Sequence, residues 1–415
     1  MMASEVKAEP SAVTAGAAPV ADDNFWRGAW KRVRGGQIGE LPVVGGLILV
    51  SIIFQSLNSH FFTAGNLVNL LVQAAAFALL GMAEVFVLLL GEIDLSAGYV
   101  AGVSGLIVAW LVQPSIGCPW WLAILAALAA TAAIGALHGT LFATIGLPSF
   151  VVTLGGQLFW AGVILFVLGN GGAILIQNKV INGIASATLP AIAGWVIMLV
   201  VAAAFGFTVW RGDEHRRASG LHSSPRGVTI AKIVGVLVAA VLLMLLVSMN
   251  RGVRTPVSGL PWVVLLVLAV LVVWTYLLGR RRFGLYVYAV GGNAEGARRA
   301  GINLIKIRIL SFMLCSLTAG VAGIVYASRL RSVSTSIDGG SLVLYGIAGA
   351  VIGGTSLFGG RGKVIHGVLG GLVIAAIDNG MGLLGFSAAA KDMVTALVLI
   401  LAVIIDSLAL RRQRP

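Results

Sequence analysis

Two carboxylates lie within one short polar interruption of an otherwise apolar stretch, Gly91-Glu92-Ile93-Asp94-Leu95-Ser96-Ala97-Gly98. Inside a membrane such groups are costly unless they face water, a helix terminus or a partner. Three chemistries are open to them. Asp94 or Ser96 can accept hydrogen bonds from free N–H groups at the start of the next helix; Glu92, Asp94 and Ser96 can line or gate a solute path; or an ionisable Asp94 can move protons. No His or Lys stands near Asp94 in sequence, which leaves the proton relay the least supported of the three.

A second break, Gly353-Gly-Thr-Ser-Leu-Phe-Gly-Gly360, repeats the pattern G-x3-L-x2-G of 91–98 and adds Gly353, Gly354 and Thr355 to the candidate path or gate. Transporters often carry broken helices at corresponding positions of repeated halves. The continuation Arg361-Gly362-Lys363 evokes a phosphate loop, but G-x4-G-K-[ST] needs glycine at position 357 and a hydroxyl at 364, where Leu357 and Val364 stand. Any ATP must therefore be hydrolysed by another chain. Asp378 and Asn379 interrupt a third apolar run, and Asn66, Asn69, Gln73, Thr153 and Gln157 sit on or beside others. Interhelical hydrogen bonding is the commoner use of such residues, and lining a path is the functional one.

The longest charged interval of the second half opens with Arg280-Arg281-Arg282, which suits a basic loop at a membrane surface. Residues 293–302 differ. Asn293 can cap a short helix favoured by Ala294, Glu295, Ala297, Arg298 and Arg299, and Gly301 can end it before Ile302. A short polar helix between apolar spans is a surface on which a soluble partner can act. Cys118 and Cys315 share no motif, and no catalytic set, metal cluster or cofactor motif is legible.

The elements that position these residues follow from composition. Of 415 residues, 59% are hydrophobic and only 10% charged, against about 25% charged in an ordinary soluble domain. Lipid must be the solvent for most of this surface, and the net charge of +13 is explained by location rather than by nucleic acid. With about 20 apolar residues per crossing, spans are expected near 41–57, 67–90, 96–113, 121–143, 150–168, 189–209, 229–249, 261–279, 309–327, 342–358, 365–384 and 392–410. The two flanking 353–360 are candidate half-helices, so the expectation is an all-α polytopic protein with 10–12 segments. An N-terminus in the cytoplasm puts 22 of the 28 Lys and Arg on that side, which predicts both termini inside. Residues 1–24 hold no signal-peptide core and read as part of a disordered tail over 1–38. The transmembrane domain is expected over 39–410, with cytoplasmic loops at 210–228 and 280–308 and a short tail at 411–415.

The segments EIDLSAG (92–98), LPSFVVTLGG (147–156), VYAVGGNAEGARRAGI (287–302), VIGGTSLFGGRGKV (351–364) and AIDNGMGLL (376–384) resemble the permease subunits of bacterial pentose and hexose ABC importers. The wording EIDLS, the inserted basic segment 208–226 and the terminal IIDS resemble its D-xylose members. The resemblance implies an inner-membrane permease without its own ATPase site, paired with a second permease copy. It further implies a periplasmic sugar-binding protein that delivers the pentose and a cytoplasmic tandem-domain ATPase, with Asn293–Ile302 as the coupling helix. Gly296 and Arg298 depart from the usual wording of that helix. The rival reading is an ion-coupled secondary transporter using Glu92, Asp94 or Asp378; a membrane scaffold without transport would not need the two polar breaks.

Overall fold

The computed structural model describes residues 40–169, 172–220, 223–252, 257–335 and 337–411, with backbone only at 41, 405, 406 and 408–411. The tails expected at 1–38 and 411–415 lie outside these residues, apart from the backbone of Arg411. Eight helices among the described residues are long and apolar enough to cross a membrane. They are α2 (Ala64–Leu88), α4 (Trp120–Ile145), α5 (Ser149–Leu168), α7 (Ala191–Ala218), α8 (Arg226–Ser248), α9 (Trp262–Arg280), α12 (Leu304–Leu330) and α14 (Val364–Leu383). The shorter apolar helices are α1 (Leu41–Leu57), α3 (Ala97–Leu111) and α13 (Gly339–Ile352), and α15 (Ala388–Arg411) closes the chain. Helices α6 (Lys179–Ser186), α10 (Arg282–Gly292) and α11 (Ala294–Arg299) connect the spans. Strand content among the described residues is limited to two antiparallel pairs, β1 (Ala173–Leu175) with β4 (Ser332–Ser334) and β2 (Thr188–Leu189) with β3 (Leu260–Pro261).

Helix α2 is the centre of the fold: every residue from Gln73 to Leu88 is buried. It packs against α12, α13 and α14, while α12 also carries α3 and α4. Small residues allow the approach, since a Cβ on Gly81 would meet the Gly367 backbone at 2.7 Å. The outer helices keep apolar side chains outward, as with Phe166 of α5 at 89% exposure, a face that suits lipid or another subunit.

Helices α3 and α13 have 15 and 14 residues, about 20 Å each at 1.5 Å per residue, too short for a hydrocarbon core of about 30 Å. Sequence reading marks 96–113 as a full span and both segments beside 353–360 as half-helices; instead α3 is the short one in the first half, and α14 is full length. The chain spends the missing length on the non-helical stretch Glu92–Leu95, which leads from the end of α2 to an internal helix start. The two short helices meet at their N-terminal ends, where a Cβ on Gly98 would collide with the Gly339 carbonyl oxygen. Each follows an aspartate: Ser96 N–H donates to Asp94 at 2.9 Å, and Ser341 N–H donates to Asp338 at 3.1 Å.

The expected loop over 210–228 is largely helical. Helix α7 continues to Ala218 because its Glu and Arg residues favour helix, and Glu214 pairs with Arg217 at 2.9 Å one turn on. Asp213 accepts from Thr229 of α8 at 2.5 Å and ties the hairpin together.

Candidate functional site

Helix α2 stops at Leu88 because Gly91 takes a positive φ of +77°, which lets Glu92 N–H close on the Val87 carbonyl at 3.1 Å. The chain then passes α5, where Ser149 Oγ donates to Glu92 at 2.6 Å and Thr153 Oγ1 to the Ile93 carbonyl at 3.4 Å. Asp94 is fully buried and accepts both the backbone N–H and, at 2.5 Å, the hydroxyl of Ser96. Thus the carboxylate holds Ser96, the residue that begins α3, from two positions before it, while no side chain bonds the first-turn N–H groups. Ser96 Oγ lies 3.1 Å from His138 Nδ1 on α4, and Trp160 Nε1 of α5 donates to His138 Nε2 at 3.4 Å. Because indole only donates, Nε2 accepts, the ring proton sits on Nδ1, and one directed chain runs Trp160–His138–Ser96–Asp94. His138 is seven residues before the end of α4, which sets this chain about 10 Å inside the helix bundle.

Sequence reasoning missed His138, and with it the partner that Asp94 lacks in sequence. It also missed Glu84, a fully buried carboxyl on α2 whose two oxygens have no hydrogen-bond partner among the described residues. A lone Glu in GMAEVFVLLL was the available signal, since an ionisable residue within a span marks function by default.

The second break meets the first. After α13, Thr355 N–H donates to Ala350 O at 2.9 Å, and Thr355 Oγ1 lies 3.2 Å from His366 Nδ1. Gly353 is pressed on the His366 carbonyl, and Gly354 has φ +111°. Gly360 N–H donates to the Leu89 carbonyl at 2.8 Å, so the loop after α13 is bonded to the end of α2. Helix α10 lies against both: a Cβ on Gly291 would strike the Leu89 carbonyl, and Tyr288 Oη donates to Gly362 O at 2.8 Å.

Helix α11 extends directly from this junction. Asn293 caps it by accepting from Gly296 N–H at 2.8 Å, and Gly301 ends it with φ +81°. Ala297 is buried and Ile302 half-buried against the body of the protein. Glu295, Arg298 and Arg299 are exposed, with Glu295 paired to Arg298 at 2.9 Å and to Arg299 at 3.0 Å. Those two guanidinium groups, Arg298 first, hold the Glu295 carboxyl below its ordinary value. Glu92, Asp94 and Ser96 therefore sit near one end of the molecule, where Gly353, Gly354 and Thr355 pack on His366 and the following Gly359–Gly362 loop meets α10.

Asp378 and Asn379 lie elsewhere, at the end opposite α11. They line a cavity of about 310 Å³ with Asn66, Asn69 and Gln73 of α2, Arg329 of α12 and Lys391 of α15. Lys391 pairs with Asp378 at 3.0 Å, Gln73 also donates to Asp378, and Asn66 and Asn379 exchange amide hydrogen bonds of 2.9 and 3.1 Å. Thr153 stays with the first break. No group of three or more His, Cys, Asp or Glu suited to a metal ion occurs among the described residues.

The chain is 33% identical over 371 residues to the xylose transport system permease protein of Escherichia coli strain K12, covering 89% of this chain and 92% of that one. It is 32% identical to the ribose import permease protein of the same organism, over 87% and 91% of the two chains. Against that organism's D-allose transport system permease protein it is 28% identical over 87% and 90%. No solved structure shows a significant match. The family described as the permease component of branched-chain amino acid transport systems matches residues 66–403, a stretch that includes both broken segments, α10, α11 and the opposite cavity, and the chain belongs to that family of non-catalytic permeases.

Proposed function

We propose that the chain is the membrane-spanning subunit of an ATP-driven importer of monosaccharides, with D-xylose as its substrate. The single observation that carries the coupling role is the contact of α10, which leads directly into α11, with both broken segments. A soluble ATPase acting on the exposed Glu295, Arg298 and Arg299 would move Gly291, and through it the Leu89 carbonyl and the Gly359–Gly362 loop. The relatives named for xylose, ribose and allose support a sugar over the amino acids of the family description. In this reading a tandem-domain ATPase docks on α11 in the cytoplasm, and a periplasmic binding protein delivers sugar to the end that bears the Asp378 cavity. A second permease copy covers outward apolar faces such as Leu158 and Phe159 of α5, 70% and 61% exposed.

Glu92, Asp94, Ser96, Gly353, Gly354 and Thr355 form the gate near α11 in this reading, and Asp378 and Asn379 the opposite mouth of the path. In this reading both termini are cytoplasmic, and the start of α1 supports it for the first span: Glu40 pairs with Lys363 at 2.7 Å, one residue from the Tyr288–Gly362 contact. The substrate is tested by uptake of labelled D-xylose, D-ribose and D-allose in cells that lack their own permeases for these sugars. D-xylose should enter fastest; a preference for either other sugar would reassign the substrate. One observation favours the ion-coupled rival, namely the chain of hydrogen bonds from Asp94 to His138, and Asp94 variants separate the two readings.

A further inference from the structure

The cavity opposite α11 holds one conspicuous mismatch of donors and acceptors. Its volume of about 310 Å³ lies at the small end of ligand pockets, about 300–1,000 Å³. Asp378 is already served by Lys391 and Gln73, and the Asn66 and Asn379 amides serve one another. Arg329 is attracted by Asp378 and Tyr326 but hydrogen-bonded to neither. It is half-buried in the last turn of α12, lines the cavity, and makes no hydrogen bond or ion pair among the described residues. A guanidinium carries five N–H donors and no acceptor, and burying it without acceptors is costly.

The occupant that relieves this must bring acceptors to Arg329. It must also tolerate Asp378, which carries a negative charge in the same cavity and accepts hydrogen bonds. An anion meets the first demand, and with Lys391 paired to Asp378 the lining is not negative overall, but an anion brings no donors for the accepting oxygens of Asp378 and the amides. A hydroxyl donates and accepts, so a compact molecule with several hydroxyls satisfies both. We propose that this cavity is a monosaccharide site of the permease itself, in which Arg329 donates to ring hydroxyls and Asp378 and the neighbouring amides accept from them. The proposal rests on the sugar-importer reading and adds that the membrane subunit, and not only a delivery protein, contacts the sugar.

The test uses the full-length permease in lipid nanodiscs. Leu383, which lines the cavity without contributing a polar side-chain group, is replaced by cysteine in a Cys118→Ser background, and its alkylation by a charged maleimide is timed. D-xylose, D-ribose or D-allose, whichever the reconstituted importer takes up, should slow alkylation several-fold. Arg329→Gln should raise the half-protecting concentration about tenfold or more, as for one lost charge-assisted hydrogen bond. An unchanged sugar-free alkylation rate in that variant shows that its cavity is intact. Were Arg329→Gln to disturb the fold, protection of the Leu383→Cys protein alone would still decide. Uptake by the importer without protection would overturn the site and leave the importer reading standing. Failure of all three sugars to be taken up would overturn both. Protection by D-xylonate and by no neutral sugar would overturn the ligand class.

Discussion

Asp94 accepts from both the N–H and the hydroxyl of Ser96, where α3 starts inside the bundle. A cap needs an acceptor oxygen facing the free N–H groups and the positive end of the α3 dipole, which Asn supplies in part. Uptake at matched membrane insertion should therefore follow wild type ≥ Asp94→Asn > Asp94→Ala, with the alanine variant losing about 0.5–2 kcal/mol of local stability. A relay through Ser96 to His138 needs an ionisable group instead. Asn and Ala variants that are equally inactive and normally inserted would show that the charge itself takes part.

At the scale of elements, α11 acts as a lever only if it is a stiff, terminated helix. Gly301 holds φ +81°, a conformation that β-branched residues resist. Gly301→Val should insert normally yet separate ATP hydrolysis from sugar uptake; sugar-stimulated hydrolysis and uptake at wild-type levels would remove α11 from the coupling role. The start of α1 is tied to the same end through Glu40, whose carboxyl Lys363 holds below its ordinary value of 4.5. A carboxyl lowered on folding contributes stability above its unfolded value and loses it as pH falls through the lower folded value. Glu40→Gln should thus lower thermal stability at pH 7 by no more than about 1 kcal/mol. The difference from wild type should vanish in acid below that folded value, and thermal unfolding in detergent at both pH values checks it.

The spans were legible because lipid selects whole runs of apolar residues, and the ends of α2, α5 and α9 fall within a few residues of the hydropathy estimate. The six-residue α11 was legible too, since Asn293 and Gly301 are local signals. What was not legible is depth. Run length alone does not reveal that α3 and α13 start inside the bundle, and Asp338 looks like a loop residue until Gly339 is seen against Gly98. Nor does a lone His138 in an apolar run signal a partner 42 residues away at Ser96. The Arg329 cavity draws on four helices scattered along the chain, a juxtaposition with no sequence signature.

For the whole molecule, the two ends divide the labour. One end carries basic residues, α11 and the two breaks; the other carries the polar cavity; α2 and α12 run between them, each contributing to both. In the proposed reading, a second protein supplies the energy and a push on α11 becomes a change at the path. The most direct measurement is sugar accumulation in proteoliposomes containing the permease alone or together with the ATPase and binding protein. Accumulation should require ATP and all the partners, and the permease alone should neither hydrolyse ATP nor concentrate sugar under a proton or sodium gradient. Gradient-driven accumulation by the purified permease alone would contradict the account.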